Sequence, residues 1–215
     1  MKKKMIVEKY KAKTHEYLLA LFFFPSAVKL IKPKDRLQES IVNWFLDKEK
    51  YVPDESYDLP TIKALGEELG MSSGVIRHQL EQLYEQICDL NFDQPFLFKK
   101  EKEILCHIVF RYQGNDAAFT VGLTHIPHVG GSFNFFFIKP KIGTSSFWIK
   151  RIYHEYDDGG QKVTMILSSD YPNAYLNLVR DKAFLKREIS FGELIRAEID
   201  SELRDKLLNT GTGSL

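Results

Sequence analysis

Between residues 59 and 83 the chain reads LPTIKALGEELGMSSGVIRHQLEQL, and its apolar positions repeat at helical spacing with a single break. Ile62, Leu65 and Leu69 form one stripe, and Ile76, Leu80 and Leu83 form a second. Gly70 stands where the first helix should stop, and Ser72 or Ser73 can cap the next one. Gly66 is small where the two helices would cross. The pattern predicts two short helices joined by a tight turn, with Leu65, Leu69, Ile76 and Leu80 buried between them. Upstream, apolar residues at 37, 41, 42, 45 and 46 predict a helix with one buried face. The stretch HEYLLALFFFPSAVKLI (15–31) fits either a buried strand or a short helix, and it either joins the core of the downstream domain or covers the helix pair.

Beyond residue 103 the period changes to that of strands. Segments 104–112, 117–126 and 132–139 each read as a strand. Segments 147–156 and 162–168 read as a hairpin around Asp157-Asp158-Gly159-Gly160. Five strands with short connections predict an antiparallel meander with one buried face. The segment 173–186 is amphipathic, and Ser190-Phe191-Gly192-Glu193 has the form of a capping box opening a helix to about residue 208.

The helix pair and its flanks resemble a known family. Leu59-Pro60-Thr61, Lys63, Leu65-Gly66, Leu69-Gly70-Met71-Ser72, Ile76-Arg77 and Leu80 resemble the winged helix-turn-helix headpiece of GntR-type regulators. That family reads LPS-x-R-x-LA-x-x-LGVSR-x-TVR-x-AL. The resemblance covers about residues 37–90, a quarter of the chain. It implies that the second helix enters a DNA groove, with Lys63, Ser72, Ser73, Arg77, His78 and Gln79 as the contacts. Lys63 and Arg77 keep the family's cations in kind. Ser73 stands where the family has an arginine, and Val75 where it has a threonine. The family's glycine-rich wing would fall where Asn91-Phe92-Asp93-Gln94-Pro95 can turn and 96–98 can form a strand. The expected architecture is therefore α+β. A basic extension (1–36) precedes a winged-helix domain (37–98), and an antiparallel sheet covered by two C-terminal helices follows (99–215).

Charge changes the functional picture. The net charge is only +1. Residues 1–36 nevertheless carry ten Lys/Arg against three Asp/Glu, a balance of +7, whereas residues 37–90 carry four against eleven, a balance of −7. Affinity for DNA rests mainly on cations meeting phosphates, so the segment that resembles a DNA reader is the most acidic part of the chain. Two function classes follow: a DNA-binding transcriptional regulator with a ligand-sensing or dimerisation domain, and a winged-helix protein-interaction module that does not bind DNA. A third class, a small-molecule binder, would use Phe119, Phe133, Phe135, Phe137 and Trp148 with Arg111, Lys139 and Arg151. Double-stranded DNA, a second copy of the chain or another protein are the partners these classes imply.

No phosphate-cradling glycine loop, GxSxG or HExxH motif occurs, so neither catalysis nor a cofactor is expected. His107, His125, His128 and His154 sit on or beside strands without a carboxylate in ligand spacing, and no metal is expected. Cys88 and Cys106 lack CxxC spacing and read as buried free thiols. The longest apolar run, 17–24, is too short to span a bilayer. The start MKKKM is not followed by a signal-peptide core, so the expected compartment is the cytoplasm.

Overall fold

In this computed structural model residues 10–48, 59–157, 160–170, 174–190 and 192 are described. The chain divides into two compact units, residues 1–170 and 171–215. The fold is α+β. Positions 36 and 98, where domain boundaries were expected, both fall inside the first unit.

The N-terminal part is built of helices. Helix α1 (Thr14–Phe22) is followed by the single turn α2 (Pro25–Val28), then α3 (Arg36–Lys48), α4 (Ile62–Leu69) and α5 (Ser73–Asp93). The stretch that fitted either strand or helix is thus α1 and α2, with Leu18, Ala20, Leu21, Ala27 and Val28 buried. Glu16 fixes its start. Its carboxylate accepts the Lys13 N–H at 2.9 Å and the Tyr10 hydroxyl at 2.7 Å, and it lies 3.7 Å from the Lys139 ammonium. Burial, reinforced by the Glu16 hydrogen bond and charge, pushes the Tyr10 hydroxyl up to about 12. Residues 10–31 are therefore part of the core, whereas Lys2, Lys3, Lys4 and Lys9 lie outside the described residues.

The sheet has five strands: β1 (Ile104–Tyr112), β2 (Asn115–Leu123), β3 (Ser132–Asn134), β4 (Ser146–Asp157) and β5 (Gly160–Ser168). Their spatial order is β2-β1-β5-β4-β3. A meander would pair each strand with the next, but here β5 inserts beside β1 and runs parallel to it, Cys106 opposite Val163 and Phe110 opposite Leu167. The other pairs are antiparallel. Alternation shows which face of a strand is buried, not which neighbour it takes, so the mixed pairing was invisible to it. Strand β3 is also shorter than expected. After Asn134 the chain turns through a 3-10 turn at Phe136–Ile138 into the short α6 (Lys139–Ile142). Phe137 and Ile138 are both buried, which no strand with one covered face permits, and Pro140 lacks a ladder donor.

The covered face of the sheet carries Cys106, Ile108 and Phe110 of β1, Phe119 and Val121 of β2, Phe147 and Ile149 of β4, and Val163, Met165 and Leu167 of β5. These side chains form one cluster with the buried residues of α1 to α5. Phe119 on one edge strand lies 5.6 Å from Phe135 beyond the other, so the sheet curls around its core. Helix α5 runs to Asp93, well past Leu83, the last position of its apolar stripe, and Pro95–Phe98 is a 3-10 turn where a strand was expected at 96–98. The extra turns are held by Asn91. Its amide donates to the Thr120 carbonyl at 2.6 Å and accepts the Thr120 N–H at 2.9 Å. An edge strand needs such partners, because its outward N–H and C=O groups are otherwise unpaired.

In the second unit, α7 (Ala174–Leu185) agrees closely with the amphipathic segment 173–186. Ala183 and Ile189 are buried there, with Val179 and Phe184 packed against them. Of the second C-terminal helix, residues 193–208 lie outside the described residues, as do Phe191 and Glu193 of its capping box and the acidic loop at 54–58. No helix among the described residues is long and apolar enough to cross a membrane.

Candidate functional site

The helix pair α4–α5 forms as its sequence demands. Thr61 caps α4 by accepting the Ala64 N–H at 3.1 Å. Gly70 ends that helix in the left-handed region, with φ at 66°. The Met71 N–H then returns to the Gly66 carbonyl at 2.8 Å. A β-carbon at Gly66 would lie 2.5 Å from the Met71 carbonyl oxygen, so only glycine admits this turn. Ser72 opens α5 by accepting the Val75 N–H at 3.4 Å. Leu65, Ile76, Leu80 and Leu83 are fully buried, and Leu69 is half-buried. Ile41, Val42, Trp44 and Phe45 of α3 close the bundle from below.

The residues expected to meet DNA divide between two faces of α5. Ser73, Arg77 and His78 are exposed at its N-terminal end, as is the cap Ser72. Gln79 instead lies inward, 5% exposed, with its Oε1 unpartnered. Its position follows from helical spacing, because residue 79 is three beyond Ile76 and four before Leu83. Lys63 is exposed on α4, and its ammonium lies 3.8 Å from Glu67, one turn on.

The surroundings of Arg77 are acidic. Helices α4 and α5 carry two Lys/Arg, Lys63 and Arg77, against six carboxylates, Glu67, Glu68, Glu81, Glu85, Asp89 and Asp93, all exposed. Four of the six recur every fourth residue along α5, so they wind along its outer surface below Arg77. The spacing is legible in the sequence. Lys141 meets Glu85 at 3.6 Å and Lys48 meets Glu68 at 3.8 Å. Tyr17 of α1 lies beside this row, its ring 5.3 Å from Tyr84. Burial, then the Glu81 and Glu85 charges, raise the Tyr17 hydroxyl, while Arg77 opposes them. The described part of the basic N-terminal segment thus does lie beside the acidic helix, but it is apolar packing of α1 that puts it there.

The remaining candidate groups do not converge. The His107 ring pairs with Thr120 at 3.2 Å, His125 with Thr124 at 3.1 Å and His154 with Gln161 at 2.8 Å. Among the described residues no group of three His, Cys, Asp or Glu is placed to hold a metal. Cys88 and Cys106 are free thiols, half-buried and buried respectively. Burial pushes Cys106 up to about 11 and Cys88 up to about 12, the latter with Lys141 opposing and Glu85 adding. Neither thiol is a nucleophile at neutral pH. The aromatic residues weighed as a ligand-enclosing surface pack on one another: Phe137 lies 4.8 Å from Phe119 and 6.0 Å from Phe135. Of the cations weighed with them, Arg111 pairs with Asp116 at 3.5 Å and Lys139 with Glu16.

Compared with known proteins, the chain matches no family model, no curated protein and no solved structure.

Proposed function

We propose that the α4–α5 unit is a protein-docking module, and that the exposed N-terminal half of α5, from Ser73 to Glu85, is its contact surface. One observation carries this reading. The two cations that α4 and α5 themselves carry are outnumbered by their six carboxylates, and one of them, Lys63, already has Glu67 beside it. A phosphate backbone brought to α5 would face Glu81 and Glu85 one and two turns from Arg77. Like charges at that range oppose DNA and favour a basic protein segment. Arg77 and His78 would then select the partner's register.

A second reading has its own support. The exposed end of α5 is the end that helix-turn-helix proteins present to the major groove. Ser73, Arg77 and His78 are all accessible there, and the GntR-type resemblance implies a regulator whose sheet domain senses a ligand or mediates dimerisation.

Titrating duplex DNA against salt separates the two readings. For a protein-docking module, DNA binding is weak at all salt concentrations, and Arg77→Glu leaves it unchanged. A steep fall of affinity with salt, together with a loss of about tenfold or more on Arg77→Glu, would decide for the DNA-binding regulator.

A further inference from the structure

The C-terminal end of α5 carries a different surface. Phe92 is 88% exposed, Phe96 62% and Leu97 38%, three large apolar side chains within six residues. None of them is free to turn inward. Asn91 faces the sheet and holds both backbone groups of Thr120, which leaves Phe92, the next residue around the helix, facing out. Phe98 is buried 5.4 Å from Phe119 and 6.2 Å from Phe24, which anchors the 3-10 turn and leaves Phe96 and Leu97 on its outer side. Three apolar side chains held outward at one corner offer a partner an apolar surface.

Opposite charges flank it. Asp89 and Asp93 stand on the α5 side, and Lys99, Lys100 and Lys102 on the side leading to β1; all five are exposed. No ion pair among the described residues engages any of the five. Of the carboxylates in the lysine loop, Glu103 is bound by the Lys100 N–H at 2.7 Å, and Glu101 alone is exposed among the three lysines.

We infer that this corner between α5 and β1 is the contact of a two-fold homodimer. A uniformly basic partner would meet the lysines, and a uniformly acidic one the aspartates. A second copy related by a two-fold axis satisfies both sides at once. Its lysines face Asp89 and Asp93, its aspartates face Lys99 and Lys100, and the phenylalanines meet in the middle. Phe92 and Phe96 are the anchors, and the charges form the rim that fixes register. Arg77 lies fifteen residues before Phe92, about 22 Å along the helix, so the dimer leaves the N-terminal end of α5 open. The inference stands whether that end meets protein or DNA.

Sedimentation of the full-length chain over a range of concentrations tests it. The wild type is expected to dimerise. Phe92→Ser with Phe96→Ser should weaken the dimer about tenfold or more without changing the circular dichroism, because both side chains are exposed. Asp89→Lys with Asp93→Lys, and Lys99→Glu with Lys100→Glu, should each abolish self-association. Mixing those two variants should restore a dimer, because each then presents the charges the other lacks. A wild type that stays monomeric, a serine variant that dimerises as well as the wild type, or charge variants that fail to pair when mixed would overturn the inference. So would a heterologous protein that occupies Phe92 and excludes the second copy.

Discussion

Truncating Leu80 to alanine should lower the unfolding free energy by about 2–5 kcal/mol. The side chain is fully buried on α5, facing α4 along with Ile76, and Leu83 lies beside it. Little can collapse into the space it leaves. Gly66 already lets the turn close until a β-carbon would strike the Met71 carbonyl, and the Thr61 and Ser72 caps fix both helix starts. The loss should appear as a lower denaturation midpoint with an unchanged slope. His78→Ala, two residues away and exposed, should stay within about 0.5 kcal/mol. A Leu80→Ala protein as stable as the wild type would mean that the two helices do not pack as described.

Phe137→Ala should cost about 3–5 kcal/mol. Its ring is 1% exposed and joins four separate parts of the chain. It stacks on Tyr84 of α5 at 4.7 Å and meets Phe119 of β2 at 4.8 Å, Phe24 ahead of α2 at 5.3 Å and Phe135 after β3 at 6.0 Å. Removing it strips contacts from the helical layer and the sheet together. Phe136, the preceding residue, is 38% exposed and, among the described residues, stacks on the exposed Phe23 at 4.6 Å. Phe136→Ala should therefore cost far less, and equal losses at the two positions would contradict the packing.

Much of the helical part was legible because local rules agree there. The Thr61 and Ser72 caps, Gly70 after the last apolar position and the two stripes all point to one answer. Strand β1 was legible for a similar reason, since every second residue from Ile104 to Tyr112 is apolar and His107 and Arg111 fall between them. What escaped was set by partners distant in sequence. Helix α5 outlasts its apolar stripe because Asn91 finds Thr120, and no spacing announces a partner 29 residues away. Strand β5 lies parallel to β1 through a pairing that alternation cannot specify. Gln79 was expected as a contact from its place on the second helix of the motif, but helical geometry turns it toward Ile76 and Leu83. The acidic row on α5 stood in the sequence at regular spacing. Its weight came only from seeing how few cations share that face.

The same long-range contacts decide how the candidate site behaves. Asn91 to Thr120 binds α5 to the sheet, and Tyr84 to Phe137 binds it to the turn after β3, so the helix pair lies within the first unit. The two tryptophans test this directly: Trp44 lies in α3 and Trp148 in β4. With Trp44→Phe and Trp148→Phe, the fluorescence of the remaining tryptophan reports one region at a time during denaturant unfolding. The transitions should coincide, and Leu80→Ala should move both to lower denaturant by the same amount. A Trp44 transition that moves alone, while Trp148 unfolds at its original midpoint, would show an independent helical headpiece and contradict the account.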